Sequence, residues 1–503
     1  MKKILIVLPL VATLGLISCE DQLNQNPISS MSVDGFFRNS DDFQQAVNGI
    51  YQSLTGFATR GFYLSDVRSD NFYGVGEMGV RDHEPVNNFS NTLAVNPYIS
   101  EAWNSNFEGI MRANTLIENL NSDAVPDENL RNRFEAEAKF LRAFYYFDLV
   151  KFFGEAPLID HIISPEEALD IPRSPVSTVY DLIISDLQFA IAHLDEYYSQ
   201  SSPNEGRATV NAARGILARV YMSRSGPTYG INGPGLGTNE WSDALSLLND
   251  IINSGHYSLQ ASFADVFAND NEDNSEVIFD VQYESGGQGI GAEYPGEMGS
   301  RAWWNSVGIP WAIGLENKDI SEDWIADIDT ATDSRFHASC QLDVVDIASG
   351  DTTYDPTCVK YLTANPDYWG VDRFDFPINF IVLRYADVLL MKAECILHGA
   401  SGTQGEVNQI VNDIRERAGI SDLSGNVTLD DLMAERRREF IGEGLRWHDL
   451  VRNGNVVDVI NAWIPVEDVK GQMSLMNNNF IIYPLPQSEM DVKTGLYMQN
   501  PGY

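Results

Sequence analysis

The sequence predicts a mainly α-helical protein: a frame of tetratricopeptide-like helical hairpins carrying a loop-rich insertion with a few short β-strands. Three observations point there. Apolar residues recur at helical spacing through the first half of the chain and again from residue 384. Two helix pairs of similar make-up stand far apart in the sequence. Between them, residues 255–383 are dense in Gly, Pro, Asn and Asp, a stretch too long for a plain connecting loop.

The elements follow in order. In "DDFQQAVNGIYQSLTG", Phe43, Ala46, Val47, Ile50, Tyr51 and Leu54 mark one helix face, with Asp41 or Ser40 as cap and Gly56 as its end. Similar amphipathic runs cover Ile99–Leu120, Asn129–Phe153, Val176–Leu194, Val210–Ser223 and Trp241–Asn253. They resume over Arg384–His398, Gly405–Ala418 and Leu429–Gly442. "AARGILARVYMSRSG" precedes "WSDALSLLNDIINSG", and "YADVLLMKAECILHG" precedes "EVNQIVNDIRERAG". In each pair an alanine-bearing helix ends at glycine and a second helix follows. Small residues allow close approach, and stacked pairs bury stripes that one helix cannot bury alone. In the insertion, "SEVIFDVQYES" reads as a strand; the tail from "FIIYPLPQSEM" to "QNPGY" reads as extended with turns.

The N-terminus is a basic Met1-Lys2-Lys3 followed by an apolar Ile4–Ile17 run. This has the form of a secretory signal and falls short of the roughly 20 residues that span a bilayer. Leu16-Ile17-Ser18-Cys19 resembles the lipobox of bacterial lipoproteins, which implies lipidation of Cys19 and removal of residues 1–18. The remaining 485 residues (503 − 18) allow several domains or one large composite.

Net charge is −39, or −41 without Lys2 and Lys3. Such a surface disfavours nucleic acid and adsorption to anionic lipid, so any membrane attachment falls to the lipid. A neutral ligand or a protein partner fits. Cys395 reads as a small buried helix residue. Cys340 and Cys358 flank a turn-rich stretch and are candidates either for a disulfide or for two separate thiols. No CxxC or Cys/His cluster suggests a metal, and no cofactor is implied.

No GxSxG, HExxH, Walker A or GxGxxG in context points to catalysis. Glu394 and His398, at i and i+4, read as a helix-surface pair rather than half a metal site. "ERRREFIGEGLRWHDLVRNG" has two readings: anion binding by Arg436, Arg437 and Arg438, or helix-tying pairs with nearby carboxylates. The second is favoured. Aromatic residues within Gly/Pro-rich segments, among them Tyr294, Trp303, Trp304 and Trp311, suit stacking on sugar rings or packing of the loops.

Taken in order, "AWNSNFEGIMRANTLIENL", "AEAKFLRAFYYFDLVKFFGEAPLI", "AARGILARVYM", "RYADVLLMKAEC", "VNDIRERAG", "ERRREFIGEGLRWHDLVRNG" and "YPLPQSEM" with "QNPGY" resemble the motifs of SusD/RagB outer-membrane lipoproteins. The resemblance runs from Cys19 to Tyr503. It implies a surface-exposed, lipid-anchored protein that binds oligosaccharides or polysaccharides and serves a SusC-like TonB-dependent transporter without cleaving the glycan. Alternatives are peptide capture within the same kind of uptake system, or a glycoside hydrolase. The implied organisation is a signal over 1–18, a tether over 19–35, an N-terminal helical part over 36–254, a ligand-binding insertion over 255–383 and a C-terminal part over 384–503. The implied ligand residues are Asp70, Arg81, Trp103 and Asn106 from the first part, with Tyr294, Trp303, Trp304 and Trp311 from the insertion.

Overall fold

Asn39 starts the first long helix, α1 (Ser40–Gln52), by accepting hydrogen bonds from the amides of Asp41 and Asp42. The expected caps, Ser40 and Asp41, lie inside it, and the helix stops before Gly56. This computed structural model describes residues 33–75, 81–200, 202–311, 318–345, 347 and 349–503. The expected signal, and Cys19 with it, lies outside them.

Helices α2 (Pro97–Asn119) and α3 (Glu128–Phe153) begin at side-chain caps, Asn96 and Asp127. Helices α4 (Val176–His193), α5 (Val210–Ser225) and α6 (Trp241–Ser254) follow. Beyond the insertion come α7 (Tyr385–Leu397), α8 (Gln404–Ala418) and α9 (Leu429–Phe440). Thr403 with Glu406 and Thr428 with Asp431 form capping boxes at the starts of α8 and α9. Two further helices, α10 (Arg446–Asn453) and α11 (Val456–Glu467), carry too few turns for their period to stand out in the sequence.

Successive helices from α2 to α8 pack on one another, so α6 lies against α7 although the insertion separates them in sequence. Trp241 of α6 stacks flat on His398, just past α7, at 3.8 Å and 4°. The two helix pairs thus form one continuous array. Glycine sets its spacing at two points: a Cβ on Gly109 would stand 2.2 Å from the Tyr145 ring, and one on Gly215 2.2 Å from Leu383.

The strands are short and paired in twos. β1 (Phe72–Tyr73) pairs with β5 (Asp319–Ile320), and β2 (Ala156–Pro157) with β3 (Arg173–Ser174). β4 (Val277–Val281) pairs with β8 (Phe380–Arg384), and β6 (Cys340–Val345) with β7 (Thr352–Cys358). All four ribbons are antiparallel. The expected strand is β4; its partner β8 was hidden because "FIVLR", buried throughout, runs straight into α7. The insertion also holds short helices, Tyr294–Met298, Arg301–Val307, Glu322–Asp327 and Ser334–Ser339, which are too brief to show a period.

The arginine-rich motif ties these parts together. Arg436 grips Asp449 and reaches Asp387 at 2.7 Å. Arg384, at the end of β8, bonds Glu276, Glu439 and Glu443 at 2.7–2.8 Å. Arg335, from the insertion, meets Glu435 of α9 at 2.6 Å. Each of these guanidiniums is buried, so each ionic group keeps its charge through bidentate or multiple partners. Glu394 belongs to the same network through Arg452, at 2.6 and 2.8 Å. With Glu394 fully buried and His398 stacked on Trp241, the two do not form the surface pair expected from their spacing.

Candidate ligand-binding site

The β1–β5 ribbon decides where the site lies. Phe72 opposes Ile320 and Tyr73 opposes Asp319 in antiparallel register. The chain leaving β1 and the chain entering β5 therefore meet at one end of the ribbon. Those two connections contain 76–80 and 312–317, which fall outside the described residues. Arg81 follows the first; Trp311 and Lys318 bracket the second.

Beside this junction stands a pair of tyrosines. Tyr63, on a π-helical turn over Phe62–Val67, stacks on Tyr98 with centroids 4.1 Å apart and planes at 20°. Tyr98 occupies the first turn of α2, where Pro97 and the Asn96 cap fix the backbone. Its ring is half-buried, whereas Tyr63 behind it is buried. Lys318 Nζ donates to the Tyr63 hydroxyl at 3.0 Å and stands 3.5 Å from Glu297 Oε2. The Tyr63 hydroxyl in turn donates to Glu297, from the helix Tyr294–Met298.

Charge completes the surface. Burial, and then the Glu297 charge, push the Glu293 carboxyl up to about 7. It can therefore either donate or accept a hydrogen bond near neutrality. Burial lowers Lys318, and Glu297 opposes that shift; Arg81 is close enough to add to it. The result is a half-open aromatic ring backed by a second ring and bordered by two cations and several carboxylates. Such a surface can stack an apolar face and hydrogen-bond hydroxyl groups.

The structure separates the residues anticipated from sequence. Arg81, half-buried, lies close to Lys318 at the junction; Trp311 is half-buried. Tyr294, Trp303 and Trp304 are buried instead. The Tyr294 hydroxyl bonds the Asn379 carbonyl at 2.9 Å, Trp303 Nε1 bonds Gln341 at 3.0 Å, and Trp304 packs on Phe376. Asp70 is buried against Arg446 at 2.8 and 2.7 Å, and Asn106 donates to Asp148 at 2.9 Å inside the frame. Trp103 is 3% exposed and borders a different feature, an apolar cleft of about 460 Å³ shared with Phe107, Met111, Ile159 and Tyr497. In this conformation Tyr294, Trp303, Trp304, Asp70 and Asn106 are buried against protein, and Trp103 borders the apolar cleft rather than the junction.

Tyr63, Tyr98, Lys318, Glu293 and Glu297 were missed. The available signal was positional: "NPYISEAW" puts an aromatic at a proline-started helix tip just upstream of Trp103. Nothing in the sequence joined Tyr63 to Lys318, 255 residues apart. Cys340 and Cys358 stand directly opposite each other on β6 and β7, both buried and both free thiols in this structure.

Two family descriptions match the chain: "SusD family" over residues 341–503 and "Starch-binding associating with outer membrane" over 23–222. SusD-like protein P25 of Formosa agariphila is 27% identical, with 94% of each chain covered. A solved laminarin binding SusD-like protein is 25% identical with a TM-score of 0.75, over 93% of this chain and all of that one. Surface glycan-binding protein A from Bacteroides thetaiotaomicron, solved with laminarihexaose, shares the fold at a TM-score of 0.78 and 23% identity, covering 92% of this chain and 99% of that one. With both ends of the chain matched, its length shared with such relatives and its mainly helical fold in common with theirs, the chain belongs to the SusD/RagB family.

Proposed function

We propose that this protein is a lipid-anchored outer-membrane glycan-binding protein that holds an oligosaccharide against Tyr98 and passes it to a SusC-like TonB-dependent transporter. The carrying observation is the Tyr63–Tyr98 stack with Lys318 and Glu297, set beside one end of the β1–β5 ribbon. Tyr98 offers the apolar face, and Arg81 and Glu293 offer polar partners to hydroxyls, while the buried Lys318 holds Tyr63 and Glu297 in place. The family description names starch binding and the outer membrane, and the laminarin-binding relative points to a neutral glucan. That class suits a chain of net charge −39. The site draws on the expected N-terminal part, 36–254, as well as on the insertion, 255–383. Among the described residues no helix is long and apolar enough to cross a membrane, which leaves Cys19 as the attachment in this reading.

The test is a binding panel on the soluble fragment from residue 20 onward, with starch and laminarin oligosaccharides beside peptides of matched size. The reading expects saturable binding to a glycan that is recovered unchanged. Binding confined to peptides would replace it with the capture of peptides, and product formation at catalytic rates would replace it with glycoside hydrolysis.

A further inference from the structure

We propose that Cys340 and Cys358 form a disulfide when the protein matures in an oxidising medium. The two residues are register partners on β6 and β7. The Val359 amide donates to the Ser339 carbonyl at 2.9 Å, which makes Cys340 and Cys358 a non-hydrogen-bonded pair of the ladder. In such pairs the Cα atoms lie about 4.5 Å apart and the side chains lean together, within the roughly 4.4–6.8 Å that a disulfide spans. Both side chains leave the same face of the ribbon and are buried, at 2% and 0% exposure. Among the described residues the one other cysteine, Cys395, sits in α7.

Two thiols become one S–S bond and lose two protons and two electrons. The acceptor is a second disulfide, small or on an oxidoreductase, which is reduced to two thiols. Burial pushes the Cys358 thiol up to about 12 and raises Cys340 as well, so exchange belongs to the folding chain, before the hairpin closes. The bond would brace more than the hairpin. β6 and β7 pack on the helix Arg301–Val307, β7 packs on β5, and Gln341 next to Cys340 holds Trp303. The floor beneath the Lys318 junction is therefore clamped at its root.

The experiment uses full-length protein recovered from an oxidising compartment, and also refolded with oxidised glutathione. It is denatured and alkylated without reductant, then mapped by mass spectrometry. The expected result is a peptide pair joining Cys340 to Cys358, two hydrogens lighter than its parts, with Cys395 alkylated. A second readout guards against a variant that fails to fold: reductant should lower the melting temperature of the natural protein and leave that of Cys340→Ser/Cys358→Ser unchanged. Full alkylation of Cys340 and Cys358 in both preparations, or equal reductant responses, would overturn the proposal.

Discussion

Arg446 holds Asp70 with two hydrogen bonds, at 2.8 and 2.7 Å, across 376 residues of chain. Arg437 adds a third contact to the same carboxylate, at 3.3 Å. The pair joins the turn before β1 to the start of α10, so the first and last parts of the protein are fastened behind the candidate site.

Burial alone would raise the Asp70 carboxyl, but Arg437 and Arg446 outweigh it and hold it at about 2. Its contribution to stability is therefore complete above its ordinary value of 3.8 and fades as the pH falls from there through about 2. Asp70→Ala strands the buried Arg446 guanidinium, while Arg437 keeps Asp323, and should cost roughly 3–5 kcal/mol in urea unfolding near neutrality. Glycan affinity of the folded fraction should stay the same. A large loss of affinity at unchanged stability would return Asp70 to the ligand.

The aromatic residues divide in the same way. Tyr98→Ala should weaken oligosaccharide binding by ~1 kcal/mol or more in calorimetry, because it removes the half-open ring. Trp304→Ala should instead destabilise the fold by about 3–5 kcal/mol, since its ring is wholly enclosed. The opposite pattern, with Trp304 controlling affinity and Tyr98 silent, would refute the placement of the site.

Glycine at 109 is a spacing element. In Gly109→Ala the new methyl meets the Tyr145 ring, and α2 must move away from α3. Overpacking of this kind should cost roughly 1–3 kcal/mol, visible as a lower denaturation midpoint. An unchanged midpoint would mean that the Tyr145 ring swings aside freely.

A group of carboxyls should give an opposite pH response. Burial, and then the nearby Asp273 and Glu272 charges, raise Asp280 well above its ordinary value. Burial also pushes Glu272 up from 4.5 to about 7. Between those two values the folded state keeps a proton that the unfolded state releases, so stability declines as the pH rises through that window. Asp280→Asn should raise the melting temperature by more at about pH 8 than at about pH 5, since the cost of a buried carboxylate grows as the pH rises above its ordinary 3.8. Melting curves at the two pH values decide; a gain independent of pH would remove titration as its cause.

The frame was legible because its helices are long enough for periodicity to average over several turns. Residues 128–153 show this, with an acidic cap and a glycine stop. What stayed hidden was short or depended on partners far along the chain. β8 is five residues that run without a break into a helix, and only its pairing with β4 makes it a strand. Trp303 and Trp304 sit in glycine-rich sequence that resembles an exposed loop, yet a seven-residue helix turns them inward. The site itself was the least legible part. A tyrosine beside a lysine 255 positions away is a fact of topology, whereas Arg81 and Trp311 entered through the family resemblance and, for Trp311, through an aromatic in Gly/Pro-rich sequence.

The pairing of β4 with β8 has an evolutionary meaning. Val281 and Phe380 are register partners, so residues 282–379 depart from and return to the frame at a single doorway. Arg384 bolts that doorway to Glu276 on one side and Glu439 on the other. Stretches of residues 282–379 that do not carry Arg335, Lys360 or β5, which grip the frame, can change in length without changing the phase of the helices on either side. One half of the binding surface can therefore drift toward a new ligand while the half that carries Tyr63 and Tyr98 stays in place.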